Sequence, residues 1–143
     1  MEKTTSAAAI VRDPVTRDIL CCHPTGHRKY VMDLPKGMID EGESPADAVV
    51  RELFEETGLA IDRSEFRDLG HWPYAKNKDI HFFYVEREID LHDLKCSSFF
   101  ENDEGRILPE MNGFARIPYD SDRWYPVMRK ALSSALKKAD LAD

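Results

Sequence analysis

The sequence has little positive charge and no long apolar run. Of its 143 residues, 20 are Lys or Arg and 27 are Asp or Glu, so the formal net charge is −7. This deficit argues against an extended nucleic-acid-binding surface, although a divalent cation could still bridge the protein to a phosphate-bearing ligand. Without a long apolar segment, we predict neither a signal peptide nor a membrane span.

Cysteine is also scarce, being limited to Cys21, Cys22 and Cys96. No CxxC spacing is present, which disfavours a zinc site. Neighbouring cysteines rarely pair, and one of three must stay unpaired. We therefore expect reduced thiols and a cytoplasmic location.

The sequence has no repeat and no low-complexity tract that would divide it. Its length suits one domain, residues 1–143, with a real hydrophobic core. Apolar residues make up 42% and charged residues 33%, which is typical of a globular protein.

The apolar pattern predicts strands that are interrupted by two amphipathic helices, which indicates an α/β fold with a mixed sheet between helical layers. The helices are expected at about Pro45–Thr57 and from Pro126 onward. The predicted strands are residues 6–11, 19–22, 30–34 and 114–117, the stretch SSFF, and the two arms of a hairpin, LGHWPYAK and DIHFFYVERE.

Both helices carry clear local signals. Ser44 is a good N-cap, Pro45 suits the first helical position, and Gly58 suits a left-handed C-terminal residue. The expected buried stripe of the first helix is Ala46, Val49, Val50, Leu53 and Phe54. That of the last helix is Val127, Met128, Leu132, Ala135, Leu136 and Ala139.

The first helix is unusually acidic. Glu55 and Glu56 lie one turn beyond Glu52, on the face predicted to be opposite the apolar stripe. A solvated acidic surface would explain three carboxylates, since their mutual repulsion costs only a few tenths of a kcal/mol per pair. The same spacing also gathers the oxygen ligands that a hard cation such as Mg²⁺ or Mn²⁺ prefers, and we favour this second reading.

Neighbouring residues fit such a cation site. Arg51 could clamp a carboxylate of the helix, or Glu43, through a two-pronged hydrogen bond. Gly37 and Gly42 would let the preceding segment LPKGMIDEGE turn tightly against the helix, which could bring the carbonyl of Lys36 to the cation.

Residues 37–59, GMIDEGESPADAVVRELFEETGL, match the signature box of the Nudix hydrolase family (MutT-like) at every fixed position. The resemblance implies a Nudix-type α/β/α sandwich. It also implies metal-dependent hydrolysis of a phosphoanhydride bond in a nucleoside diphosphate linked to another moiety.

Matched to that box, Glu55 and Glu56 become the principal metal ligands, and Glu52 becomes a ligand or the base that activates water. The Lys36 carbonyl corresponds to the family's backbone metal contact, and Arg51 orients the carboxylates. Many relatives use a further glutamate before the last strand. Glu110 and Glu104 are candidates, and ordinary solvent-facing loop residues are the alternative.

The substrate is less well defined. The LPKG lead-in resembles enzymes that act on diadenosine polyphosphates or diphosphoinositol polyphosphates. Tyr74 is also typical of the diadenosine group, whereas Pro73 is typical of the ADP-ribose group. Arg28 and Lys29 could bind distal phosphates together with Lys36. The short chain favours a nucleoside triphosphate or a dinucleoside polyphosphate as substrate.

Other readings stay open at this stage. They are an ADP-ribose or nucleotide-sugar pyrophosphatase, an RNA 5′-pyrophosphohydrolase, and a nucleotide-sensing module without turnover. Family members often form homodimers, so the resemblance also allows a homodimer here.

Overall fold

The computed structural model describes residues 2–143. Within this range the chain forms eight strands and two α-helices. The strands are β1 (Thr4–Arg12), β2 (Ile19–Pro24), β3 (Lys36–Met38), β4 (Arg67–Ala75), β5 (Lys78–Glu86), β6 (Phe99–Glu101), β7 (Ile107–Pro109) and β8 (Met111–Ile117). The helices are α1 (Pro45–Thr57) and α2 (Pro126–Lys138).

The main sheet is mixed, as predicted. Its strand order is β4-β5-β1-β2-β8, and β3 also pairs with β1. Strand β1 runs parallel to β5 and antiparallel to β2 and β3. Ala8 at its centre lies opposite Phe82 on one side and Lys36 on the other. The segment that leads into α1 is therefore fixed to the centre of the sheet.

A helix covers each face of this sheet, which gives the α/β/α sandwich. Side chains alternate along β1, so Ala7 and Ala9 pack on the α1 side while Ala8 and Ile10 pack on the α2 side. The buried apolar residues that the helices contribute are Ala48, Val49 and Leu53 from α1, and Met128, Ala131, Leu132, Ala135 and Leu136 from α2.

Helix α1 has the predicted bounds. The Ser44 hydroxyl accepts a hydrogen bond from the Asp47 amide at 3.1 Å, and Gly58 ends the helix in the left-handed region at φ 80°. The prediction that Phe54 is buried is wrong, because its side chain is 50% exposed. The buried arc continues instead through Glu56 and Thr57, whose polar groups are hydrogen-bonded inside the protein.

Two further expectations need correction. Residues 30–34 form no strand: Asp33 pairs with Cys22 while Met32 pairs with Trp124, so each makes only an isolated bridge. The strand forms after Pro35, as β3, inside a segment that was expected to be a loop. In α2, Val127 is 38% exposed rather than buried, since it lies in the first turn.

The expected SSFF strand exists and has a partner. Phe99–Glu101 and Ile107–Pro109 form a small antiparallel hairpin outside the main sheet. Among residues 2–143, neither helix has the length and apolar character that crossing a membrane requires.

Candidate active site

The guanidinium of Arg51 organises the carboxylates of the acidic helix. Its Nε and Nη2 donate to the two carboxylate oxygens of Glu43, at 2.8 and 2.9 Å. Its Nη1 donates to Glu52 at 2.8 Å and to Glu55 at 3.4 Å, and Nη2 also reaches the Met38 carbonyl at 3.1 Å. One arginine thus fixes three carboxylates and the preceding segment to each other, whereas the sequence suggested a clamp on a single carboxylate.

Glu56 is held from the other side of the site. Its Oε1 accepts a hydrogen bond from the backbone amide of Lys36 at 2.9 Å. Its side chain is buried, with the residue only 2% exposed, so the expectation that all three glutamates share an open face is wrong for Glu56. Exposure instead rises from Glu56 through Glu52 to Glu55.

Gly37 lets the backbone lie against Glu52. A Cβ atom at this position would stand 2.0 Å from the Glu52 carboxyl carbon, far inside van der Waals contact. Its backbone conformation does not demand glycine, so the close approach to Glu52 is the physical reason for a glycine here.

The carboxylates differ in proton affinity. Burial, together with the negative charges of Glu52 and Glu110, raises the pKa of Glu56 to about 9, although the hydrogen bond from the Lys36 amide acts in the opposite direction. Burial also raises the pKa of Glu52, which the neighbouring Arg51 opposes. Hydrogen bonds from Arg51 lower the pKa of Glu43 to about 2. The site therefore combines one carboxylate that ionises readily, Glu43, with two whose ionisation is disfavoured, Glu52 and Glu56.

The donor set suits a hard divalent cation, because carboxylate oxygens are the ligands that Mg²⁺ and Mn²⁺ prefer. Repulsion among buried carboxylates would be relieved by positive charge. As arranged, however, no three His, Cys, Asp or Glu side chains in the described range converge on a metal position. Glu52 and Glu55 turn toward Arg51 instead, so binding a cation would require them to reorient.

The structure separates the two candidates for the additional glutamate. Glu110 lies at the base of the β6–β7 hairpin, and its charge raises the pKa of both Glu52 and Glu56. Glu104 lies in the hairpin turn, where its amide donates to Asn102. The geometry favours Glu110.

Lys36 and Tyr74 lie together beside the box. The Lys36 ammonium is 5.9 Å from the centre of the Tyr74 ring and 3.4 Å from a carboxylate oxygen of Asp33. Burial raises the pKa of Asp33, an effect that Lys36 opposes. Burial raises the pKa of Tyr74 as well, and the charge of Asp33 adds to this.

The loop with Arg28 and Lys29 borders the same region from outside. Tyr125, at the start of α2, contacts His27 of this loop. The positive charges of Lys36 and Arg28 act on Tyr125 in the direction of a lower pKa, although its burial outweighs them. Lys29 is exposed, with its ammonium 5.8 Å from the Tyr30 ring. Arg28 is exposed as well, but its charge acts on Tyr125.

Sequence reasoning did not identify Asp33 or Tyr125 as members of this region. The signal for Asp33 was a carboxylate within the apolar run VMDLP, because an acid with buried neighbours on both sides needs a cationic or hydrogen-bonding partner. Tyr125 gave no such signal, since it is far from the box in sequence and reaches it only through the fold.

Comparison with known proteins agrees with this geometry. The family model described as NUDIX domain matches residues 2–134. A protein of Enterobacteria phage T4 described as an uncharacterized 17.7 kDa protein is 37% identical over 139 residues, covering 90% of each chain. The NAD-capped RNA hydrolase NudC of Klebsiella pneumoniae is 30% identical over 112 residues, which cover 76% of this chain but only 42% of NudC.

Solved structures show the same fold. The crystal structure of the MutT protein from Methanosarcina mazei superposes with a TM-score of 0.67 at 16% identity, covering 96% of each chain. The family match over nearly the whole chain, together with the box carboxylates that Arg51 holds in place, leads to one conclusion: the chain belongs to the Nudix family of hydrolases, which act on pyrophosphate bonds.

Proposed function

We propose that this Nudix hydrolase cleaves a phosphoanhydride bond in a nucleoside triphosphate or a dinucleoside polyphosphate, with a divalent cation as cofactor. The observation that carries the proposal is the arrangement of Glu43, Glu52 and Glu55 around the single guanidinium of Arg51, with Glu56 held by the Lys36 amide. It supplies several anionic oxygens beside the segment that carries Lys36.

The cation would be held by Glu52, Glu55 and Glu56, together with the Lys36 carbonyl. When bound, Mg²⁺ or Mn²⁺ would neutralise phosphate charge and increase the acidity of water. The oxygen-only donor set supports this assignment.

The protein's own side chains have distinct tasks. Arg51 holds the carboxylates in register and leaves Glu43 ionised. Glu52 has a raised pKa, which brings it nearer to the range in which a carboxylate can accept a proton from an attacking water. Glu110 carries a further negative charge to the same place and is a second candidate for that proton.

The basic groups beside the box would bind the polyphosphate. Lys36 extends from the backbone that touches Glu56 and carries its charge over the Tyr74 ring. Arg28 approaches from the neighbouring loop. These positive charges are placed for phosphates beyond the bond that is cut, and Tyr74 offers a ring face on which a base can stack.

A substrate panel with metal titration tests the proposal. ATP, diadenosine tetraphosphate and ADP-ribose would be assayed for released phosphate and mononucleotide. We expect turnover of the first or second that EDTA abolishes and Mg²⁺ or Mn²⁺ restores. Turnover that persists in excess EDTA would refute the role of the cation.

One relative supports a second candidate. NudC is described as a hydrolase of NAD-capped RNA, so the 5′ end of an RNA is an alternative substrate. The net charge of −7 opposes an extended RNA contact. An assay on capped and triphosphorylated oligonucleotides separates the two.

A further inference from the structure

The β6–β7 hairpin is attached directly to the catalytic helix. The Ser97 amide donates to the Glu55 carbonyl at 2.7 Å, and the Lys95 amide donates to the Thr57 carbonyl at 2.9 Å. On the other arm, the Glu110 amide donates to the Ser98 carbonyl at 3.0 Å. The base of the hairpin therefore stands at the C-terminal end of α1, beside the box carboxylates.

The pairing register assigns each hairpin side chain to one of two faces. Phe100 lies opposite Leu108, and Phe99 lies opposite Pro109. Residues that are directly opposite share a face, and successive residues alternate. Phe100 and Leu108 therefore share the face of Glu110, whereas Phe99 lies on the other face.

The two phenylalanines are both accessible. The Phe99 residue is 59% exposed and Phe100 is 37% exposed. On the Glu110 face, Phe100 stands about 7 Å further out than the Ser98–Glu110 pair, since two residues of a strand span that length. An accessible aromatic ring thus lies on the face of Glu110, about 7 Å further along the hairpin.

The geometry points to Phe100, backed by Leu108, as the contact for a planar aromatic ring at the far end of the substrate. The inference rests on the proposed function. It narrows the substrate to a nucleotide in which a chain of two or more phosphates joins two groups that each carry a planar aromatic ring. Base–aromatic stacking tolerates different bases, so the second ring could be a purine or a nicotinamide.

The experiment compares Phe100→Ala with Phe99→Ala, the same change one residue away on the opposite face. Steady-state kinetics would use diadenosine tetraphosphate, NAD, ADP-ribose and ATP, which share one adenosine and differ in the second group. We expect Phe100→Ala to raise KM about tenfold for the substrates with a second ring and to leave ATP and ADP-ribose within about twofold. Phe100→Trp, which keeps an aromatic ring at this position, should have the wild-type KM.

The pattern over the substrates identifies the ring. A larger effect on diadenosine tetraphosphate assigns a purine, and a larger effect on NAD assigns nicotinamide. Equal effects on all four substrates, an equal loss in Phe99→Ala, or no effect in Phe100→Ala would each overturn the inference.

Failure of the proposed function gives a different result. If the wild-type protein released no product from any of the four, the proposed activity would be wrong. Calorimetric binding of diadenosine tetraphosphate would still test the contact, because equal affinities of wild type and Phe100→Ala would overturn it.

Discussion

At the scale of single residues, the site is defined by carboxylates with unequal environments. Glu43 is stabilised as an anion by Arg51, while Glu56 is buried next to the negative charges of Glu52 and Glu110. Burial without a cationic partner favours the protonated acid. Glu56 therefore destabilises the metal-free fold when it is ionised, and this cost is consistent with a site that is built to receive a cation.

The first prediction concerns Glu56 and pH. Its pKa is about 9 in the folded protein against 4.5 as the ordinary value, so the folded state binds this proton more tightly. The contribution of Glu56 to stability is then fully present below about pH 4.5 and is lost as pH rises toward 9. In EDTA, we expect the free energy of unfolding to fall by a few kcal/mol between pH 5.5 and 8.5.

Glu56→Gln isolates that effect. The amide keeps an acceptor for the Lys36 N–H but cannot ionise. We expect the variant to be more stable than wild type in EDTA at pH 8, and to lose about a hundredfold or more in kcat. Urea unfolding and steady-state kinetics measure the two quantities. A variant that is no more stable at pH 8 would contradict the raised pKa of the buried Glu56.

The second prediction concerns Gly37. In Gly37→Ala the new methyl group would collide with the Glu52 carboxyl group, which is the flexible end of a side chain. We expect the protein to fold while kcat falls about tenfold or more, since Glu52 must move. Gly113→Ala is the matched control, because its Cβ would be 3.4 Å from His23. An equal loss of kcat in both variants would contradict the explanation that the methyl group displaces Glu52.

The residues of the box were predictable because helical spacing alone places Glu52, Glu55 and Glu56 within one turn. The burial of Glu56 was not predictable, because it depends on strand β3, which lies across that turn of the helix. Asp33 and Tyr125 were missed for the same reason: both reach the site through tertiary contacts. The one-domain organisation and the homodimer remain predictions.

At the scale of elements, α1 is fixed at three places. Ser44 caps its start, Arg51 joins its middle to the preceding segment, and Ser97 binds the Glu55 carbonyl near its end. The box carboxylates thus lie on a helix whose position relative to β3 and the hairpin is set by hydrogen bonds.

The third prediction tests the middle attachment. Arg51→Lys keeps the charge but cannot donate to both oxygens of Glu43 while reaching Glu52. We expect a loss of about 1–3 kcal/mol in stability and a lower kcat. The double variant with Glu43→Gln should be less destabilised than the sum of the two single changes. Additive changes would show that the pair is not coupled.

The helices and the β4–β5 hairpin were predictable from periodicity, and α1 has the predicted bounds. The strand at residues 30–34 was not correctly predicted, because Met32 and Leu34 are buried without forming a ladder. Met32 and Asp33 pair with different parts of the chain. The apolar pattern of a sequence does not show which segments will pair with each other.

At the scale of the whole molecule, the sheet divides the core into an α1 layer that supports the site and an α2 layer on the opposite face. Leu53 belongs to the first and Leu132 to the second, and both are fully buried. One of the two core clusters therefore lies on the face of the sheet away from the box helix.

The fourth prediction uses this pair of leucines. Leu53→Ala and Leu132→Ala should each reduce stability by about 2–5 kcal/mol. Only Leu53→Ala should lower kcat at a temperature where both are folded, because Leu53 precedes Glu55 and Glu56 on the same helix. Thermal melts followed by kinetics at low temperature decide this. A matching kcat loss in Leu132→Ala would show that the layers are not independent.

The central claim is that the glutamates held by Arg51 and the Lys36 amide bind a divalent cation. Mn²⁺ binding followed by electron paramagnetic resonance, with wild type and Glu56→Gln beside a non-hydrolysable ATP analogue, tests it most directly. We predict a bound Mn²⁺ signal in wild type and affinity at least about tenfold weaker in the variant. Equal affinity in the two proteins, or no protein-dependent binding in wild type, would contradict the account.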